Sequence, residues 1–120
     1  MTTQEVAQRL VSQCSLKEFV AAQEELYATD IVRIETDGKQ IQGIENTLAF
    51  EKKFLDSVTV NSCEMSAPLI AGDYFTVVMK VDLTFNNGLH SGSEEICVYK
   101  VESGKIVFEQ FFRSPAPVRP

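Results

Sequence analysis

This chain of 120 residues has one histidine, three cysteines and no basic cluster longer than Lys52-Lys53. The lone His90 excludes a metal site made of several histidines, and its place beside the Asn86-Asn87-Gly88 turn predicts exposure. Cys14, Cys63 and Cys97 are odd in number, widely spaced and without a CxxC pair, which argues against both a disulfide framework and a thiolate zinc site. Reduced, partly buried thiols are the expectation. Acidic residues outnumber basic ones 17 to 11, a net charge of -6, so the footprint that grips phosphates is missing and nucleic acid is not an expected partner. No apolar run approaches the roughly 20 residues of a membrane span. Residues 1 to 20 carry Glu5, Arg9, Lys17 and Glu18 and do not read as a signal peptide, so a soluble cytoplasmic protein is expected. Neither a glycine-rich phosphate loop nor a serine nucleophile motif occurs, and no cofactor is expected.

The hydrophobic content, 44%, is enough for the core of one ordinary domain, read as residues 1 to 113 with a proline-rich tail at 114 to 120. Helical signals come first. Thr2 and Glu5 have capping-box spacing, and Val6, Leu10 and Cys14 follow on one face. Ser15 and Glu18 repeat the cap signal before a second stripe of Leu16, Phe19, Val20, Gln23, Leu26 and Tyr27, which predicts two short helices broken near Cys14-Ser15. Residues 30 to 35 alternate as a short strand that ends at Asp37-Gly38. A third helix is predicted over roughly 44 to 56, with Ile44, Leu48, Phe54 and Leu55 on its apolar stripe and Phe50 widening it.

From Val58 the period changes to two. Strands are predicted at about 58 to 69, 73 to 85, 90 to 101 and 105 to 112, separated by turns at Ala71-Gly72-Asp73, Asn86-Asn87-Gly88 and Glu102-Ser103-Gly104. Phe75, Val77, Met79, Val81, Leu83 and Phe85 share one strand face, which marks it as the core side. Helices followed by a curved antiparallel meander imply an α+β domain with the helices packed on one sheet face. The other face, with Thr76, Val78, Lys80, Asp82 and Thr84 and with Ile96 and Val98 beside them, reads either as half of a dimer interface or as a solvated face with stray aliphatics.

LYATDIVRIE at 26 to 35, Gly43 opening a helix, the meander, and EEICVYKVESGKIVFEQFF at 94 to 112 together resemble the SnoaL-like branch of the nuclear transport factor 2-like superfamily, which also contains ketosteroid isomerase. The resemblance covers nearly the whole chain. It implies a cone-shaped fold in which a bent sheet wraps around helices and leaves an apolar-walled pocket, and a homodimer through the sheet. Members include cyclases, isomerases, dehydratases and non-catalytic binders, so fold alone does not supply the function. The same resemblance places Glu35 where ketosteroid isomerase carries its aspartate base. Cys97 falls where that enzyme has its protonated aspartate, and Val11 or a neighbour falls where it has its tyrosine. Two of three parts are missing, so ketosteroid isomerase chemistry is not supported, and the lone histidine likewise gives no His/Asp pair of the polyketide-cyclase kind.

That register sends Glu95, Cys97 and Tyr99, Met79 and Val81, and Glu109 and Phe111 inward, so that Glu35, Glu95 and Glu109 converge on one cavity. Clustered carboxylates repel in a low dielectric, and at least one then holds its proton near neutral pH unless a cation joins them. Glu35 is the candidate base and Glu95 or Glu109 the candidate neutral acid, acting on a small carbonyl or hydroxylated substrate as an isomerase, cyclase or hydratase would. Tyr27, Phe50 and Phe54, with Met79, Val81, Cys97, Tyr99 and Phe111, are the candidate pocket walls. The opposite strand phase would put Ile96, Val98 and Phe108 in the core and turn Glu95 and Glu109 to the surface. Glu35 also has a structural alternative, an ion pair with Arg33 or Lys39. Cys97 would need a nearby base to act as a nucleophile. The reading of another class is a non-catalytic ligand-binding or dimeric scaffold domain.

Overall fold

A computed structural model describes residues 1 to 114; the expected tail beyond Ser114 lies outside the described residues. The first helix, α1 (Thr3–Ser15), starts where the capping box predicts. The Glu5 backbone N–H donates to the Thr2 hydroxyl at 3.1 Å, and the Thr2 N–H donates to the Glu5 carboxylate at 2.9 Å. Ser15 closes α1 and does not cap the next helix, contrary to its spacing with Glu18. The N–H groups of Leu16, Lys17 and Glu18 are already bonded to the carbonyls of Gln13 and Cys14, with Lys17 in the left-handed region at φ 63°, so the turn needs no side-chain cap. Helix α2 (Phe19–Leu26) then runs directly into β1 (Tyr27–Ile34). That strand begins three residues before the predicted strand, and Glu35 stands just past its end.

Two three-residue strands, β2 (Gln40–Gln42) and β4 (Leu69–Ala71), are too short for a period of two to reveal. The predicted strand at 58 to 69 is in fact β3 (Val58–Met65) followed by β4, interrupted at Ser66 to Pro68. Pro68 has no N–H for the ladder, and the Ser66 hydroxyl accepts from the Val78 N–H at 2.8 Å across the gap. Between β2 and the helix α3 (Ile44–Ser57), Gly43 adopts φ 86°, which a side chain would strain. Its N–H donates to the Ile31 carbonyl at 2.7 Å and ties the start of α3 to β1.

The long strands β5 (Tyr74–Phe85), β6 (His90–Glu102) and β7 (Lys105–Phe112) form the antiparallel meander. The sheet order is β2-β1-β7-β6-β5-β3, with β4 also on β5, and β1 pairs with β7 in parallel, so the sheet is mixed, curved and unclosed. Phe75 and Val77 of β5 and Cys97, Tyr99 and Val101 of β6 pack with Val6, Ala7, Leu10 and Leu26 of the first two helices in one core. The Phe75 and Tyr99 rings stack at 4.7 Å. Helix α3 differs. Its only fully buried residue is Thr47, and its aromatic residues overhang a space that the core does not fill.

Candidate pocket and its buried ion network

The unfilled space is a cavity of about 310 Å³ between the helices and the open half of the sheet. Its apolar wall comes from Phe19 of α2, Phe50, Phe54 and Leu55 of α3, Met79 and Val81 of β5, and Phe111 of β7. The inward strand phase follows from burial. Tyr99 and Glu109 are buried while Ile96 and Phe112, their outward neighbours, are about half exposed, at 51% and 49%.

At the inner end stands a buried charge network. Glu109 is 0% exposed, and both of its oxygens are taken: Oε1 accepts from the Tyr27 hydroxyl at 2.5 Å and Oε2 from Arg33 Nε at 2.7 Å. Arg33, 5% exposed, also donates from Nη2 to Glu51 at 3.3 Å, and its Nη1 lies 3.7 Å from Glu35 Oε1. Its guanidinium sits 5.1 Å from the centre of the Phe111 ring. Gln23 Nε2 donates to the same Glu51 oxygen at 2.6 Å. At the mouth, Arg113 reaches Glu95 at 3.2 Å.

Burial is the largest single influence on each group here, and for Arg33 it is overcome by neighbouring charges. It pushes the Glu109 carboxyl upward, against the pull of the Arg33 charge and the two donated hydrogen bonds. Burial raises Glu35 too, and the nearby charges of Glu109, Glu95 and Glu51 outweigh part of the relief from Arg33. Glu95 is raised by burial, with Arg113 and Arg33 pulling it back. For Arg33 burial opposes the charge, but Glu109, Tyr27 and Glu51 overcome it and hold the guanidinium well above its ordinary value. Tyr27 is held well above the phenol range by burial and by Glu109, so it stays a donor.

Of the sequence-derived candidates, Glu35, Glu95 and Glu109 all line the cavity, as do Tyr27, Phe50, Phe54, Met79, Val81, Tyr99 and Phe111. Cys97 does not. It points inward but is sealed in the core, 0% exposed, and burial together with the Glu95 charge pushes its thiol up to about 12. An inert packing role replaces its place in the pocket wall. His90 pairs with Asp82 at 2.5 Å on the exposed surface, away from the cavity. Glu35 meets both of its sequence alternatives at once, since it faces the cavity and also neighbours Arg33.

Arg33, Glu51, Gln23 and Arg113 were not foreseen as pocket residues. Parity contained the signal for two of them. Arg33 shares a strand face with Ile31 and Glu35, and Arg113 continues the face of Glu109 and Phe111. Glu51 stands three residues before Phe54 on α3, the spacing that puts two side chains on one helix face.

The bent, mixed, unclosed sheet packed with N-terminal helices is the nuclear transport factor 2-like, ketosteroid isomerase-like fold. Within it the chain belongs to the SnoaL-like domain family, which it matches over residues 1–113. A solved Mesorhizobium loti protein, assigned as a SnoaL-like polyketide cyclase, is 25% identical with a TM-score of 0.88, covering 93% of this chain and 99% of that one. An epoxide hydrolase of the LEH-like kind from M. tuberculosis shares the fold at 12% identity and a TM-score of 0.75, covering 93% and 82%. A protein of ketosteroid isomerase-like fold from Catenulispora acidiphila, solved in complex with trimethylamine, aligns at 14% identity and a TM-score of 0.74, covering 90% and 84%. No protein of curated function matches the sequence.

Proposed function

We propose that the protein takes a small, largely apolar molecule bearing a carbonyl or hydroxyl group into the cone, and that Glu35 exchanges a proton with it. One observation carries this reading. Glu35 lines the cavity with its side chain about one-fifth exposed, its buried Oε1 accepts no hydrogen bond among the described residues, and Arg33 Nη1 stays 3.7 Å away, so a carboxyl of raised proton affinity stands in the wall of the space a ligand would fill. Glu95 is the second carboxyl, nearer the mouth. Glu109 has no oxygen to spare, so in this proposal it is a positioning residue that fixes Arg33 and Tyr27. The chemistry is then isomerase-like or lyase-like, a proton moved next to a carbonyl or hydroxyl.

The test is deuterium uptake from heavy water at the carbon beside the carbonyl of small cyclic ketones, followed by proton NMR. The protein should accelerate it, and Glu35→Gln should remove about 10²- to 10⁴-fold of that acceleration. Uptake that ignores the substitution would end the proposal. A second reading, binding without turnover, is favoured by one fact: Arg33 Nε and the Tyr27 hydroxyl, the innermost donors, already serve Glu109 and not an incoming oxyanion. Saturable binding with no deuterium uptake would select it.

The outer sheet face belongs to the same proposal as a homodimer interface. Ile96 and Phe112 are opposed in register and exposed, with Val78 opposite Ile96 on its other side. Sedimentation should give a dimer, and Ile96→Lys should shift it to monomer.

A further inference from the structure

The Arg33 guanidinium offers three nitrogens in one plane, and two of them are spent. Nε donates to Glu109 at 2.7 Å and Nη2 to Glu51 at 3.3 Å. Nη1 donates to no acceptor among the described residues, since Glu35 Oε1 beside it lies 3.7 Å away, beyond hydrogen-bond reach. Nor is this nitrogen sealed in. It is not among the fully enclosed atoms that lack a partner, as Glu35 Oε1 is, so the 6% of the Arg33 side chain that stays exposed includes Nη1. Arg33, Glu35 and Phe111 all line the cavity, and the accessible surface of Nη1 therefore opens on it. The bonds to Glu109 and Glu51 and the Phe111 ring at 5.1 Å fix the guanidinium, so Nη1 cannot swing off to another partner. What is missing is an acceptor.

The geometry points to Arg33 Nη1 as the donor that takes a ligand's carbonyl oxygen, with the carbon next to that carbonyl set against the Glu35 carboxyl. Arginine donates and never accepts, so the group it holds must bring lone pairs. The surrounding charge narrows the choice. Glu109, Glu51 and Glu35 already share one guanidinium, so a ligand carboxylate would be a fourth anion there, and an ammonium would meet the guanidinium itself. A neutral carbonyl fits, because its charge develops only during reaction. When Glu35 takes the proton, the C–H electron pair becomes the C=C bond of an enolate and the carbonyl π pair moves onto oxygen. Glu35 is then neutral, and the negative charge has passed from one neighbour of Nη1 to another without changing the total in the pocket. This inference rests on the acid–base reading above and deepens it: the substrate is a ketone or aldehyde, and Arg33 is a catalytic residue that touches the reacting oxygen.

The probe is cyclohexanone labelled with carbon-13 at the carbonyl, titrated against the whole protein near neutral pH. A hydrogen bond draws electrons from the carbonyl carbon, so the bound resonance should stand downfield of its position in hexane. In Arg33→Met/Glu109→Leu, which removes both charges of the pair, it should move back upfield. Methylenecyclohexane has nearly the same shape without the oxygen, and the ketone-to-alkene affinity ratio should fall at least about tenfold in that variant. If the variant does not fold, the native protein still decides, because a bound resonance at the hexane position overturns the inference. A resonance or an affinity ratio that the folded variant leaves unchanged overturns it as well. Glu35-dependent deuterium uptake with no carbonyl shift would strike the Arg33 contact and leave the acid–base reading standing. A carbonyl shift that the double variant abolishes, without deuterium uptake, would keep the contact and end that reading.

Discussion

The two halves of the sheet receive the helices differently. At the closed half, α1 and α2 press Val6, Ala7, Leu10 and Leu26 onto Phe75, Val77, Cys97 and Val101 in one buried core, and of these only Leu10 also reaches the cavity wall. At the open half, α3 spans the sheet without sealing it, and Phe50 and Phe54 stay 39% and 37% exposed over a cavity. The closed half is held by apolar contact, whereas the open half is held by one arginine among three carboxylates. One continuous sheet is therefore used in two ways: packing supplies stability where the helices fit, and the misfit leaves a cavity.

The comparison breaks most readily at the closed half. Phe75→Ala should cost about 4 kcal/mol in urea unfolding, since it opens a hole in a packed core and removes the stacking on Tyr99. Arg33→Met should cost about 3 kcal/mol, because it leaves Glu109 buried without its cation, and Arg33→Met/Glu109→Leu should recover much of that loss. If the double variant is no better than the single one, the network is not the unit that holds the open half. Phe54→Ala should cost no more than about 1 kcal/mol in thermal unfolding, because the ring is partly solvated already.

The smallest and broadest effect is that of pH. Glu35, Glu95 and Glu109 are raised in the folded protein, so the folded state keeps protons that the unfolded chain has released. Their contribution is complete below the ordinary carboxyl range, near about pH 4, and is lost as pH rises through the raised values. Unfolding measured across that window should show stability falling with pH on this account, and Glu35→Gln should flatten the slope. Carboxyl-carbon NMR should find at least one glutamate titrating above its ordinary range and moving when a neighbour is neutralised.

Much of the closed half was legible in the sequence, because α1 and β5 carry clean periods and an intact capping box, and the residues that bear them fill the core. The carboxylates were legible once the strand phase was anchored, since Glu95 and Glu109 fall on the parity of Tyr99 and Phe111. The cation among them was harder to see. Arg33 reads as a surface residue of an alternating strand, and only its parity with Ile31 indicates otherwise. The parallel contact of β1 with β7 is a long-range pairing that local patterning does not encode, and without it nothing in the sequence brings Arg33 to Glu109. Glu51 looks solvated beside Lys52 and Lys53, and only the gap beneath α3 gives it a buried partner.

That parallel seam also bears on biosynthesis. Arg33 and Glu109 are 76 residues apart, so a ribosome adding about 5 to 20 residues per second makes the arginine on the order of 4 to 15 s before its counter-ion. Throughout that interval β1 has a charged inward face and no neighbour on its β7 side. The capped first helix can form early, but the cone cannot close around Arg33 until the last strand arrives. The ion pair thus makes completion of the pocket a late event in the life of each nascent chain, and a truncation that removed β7 would leave a buried cation with its main partner missing.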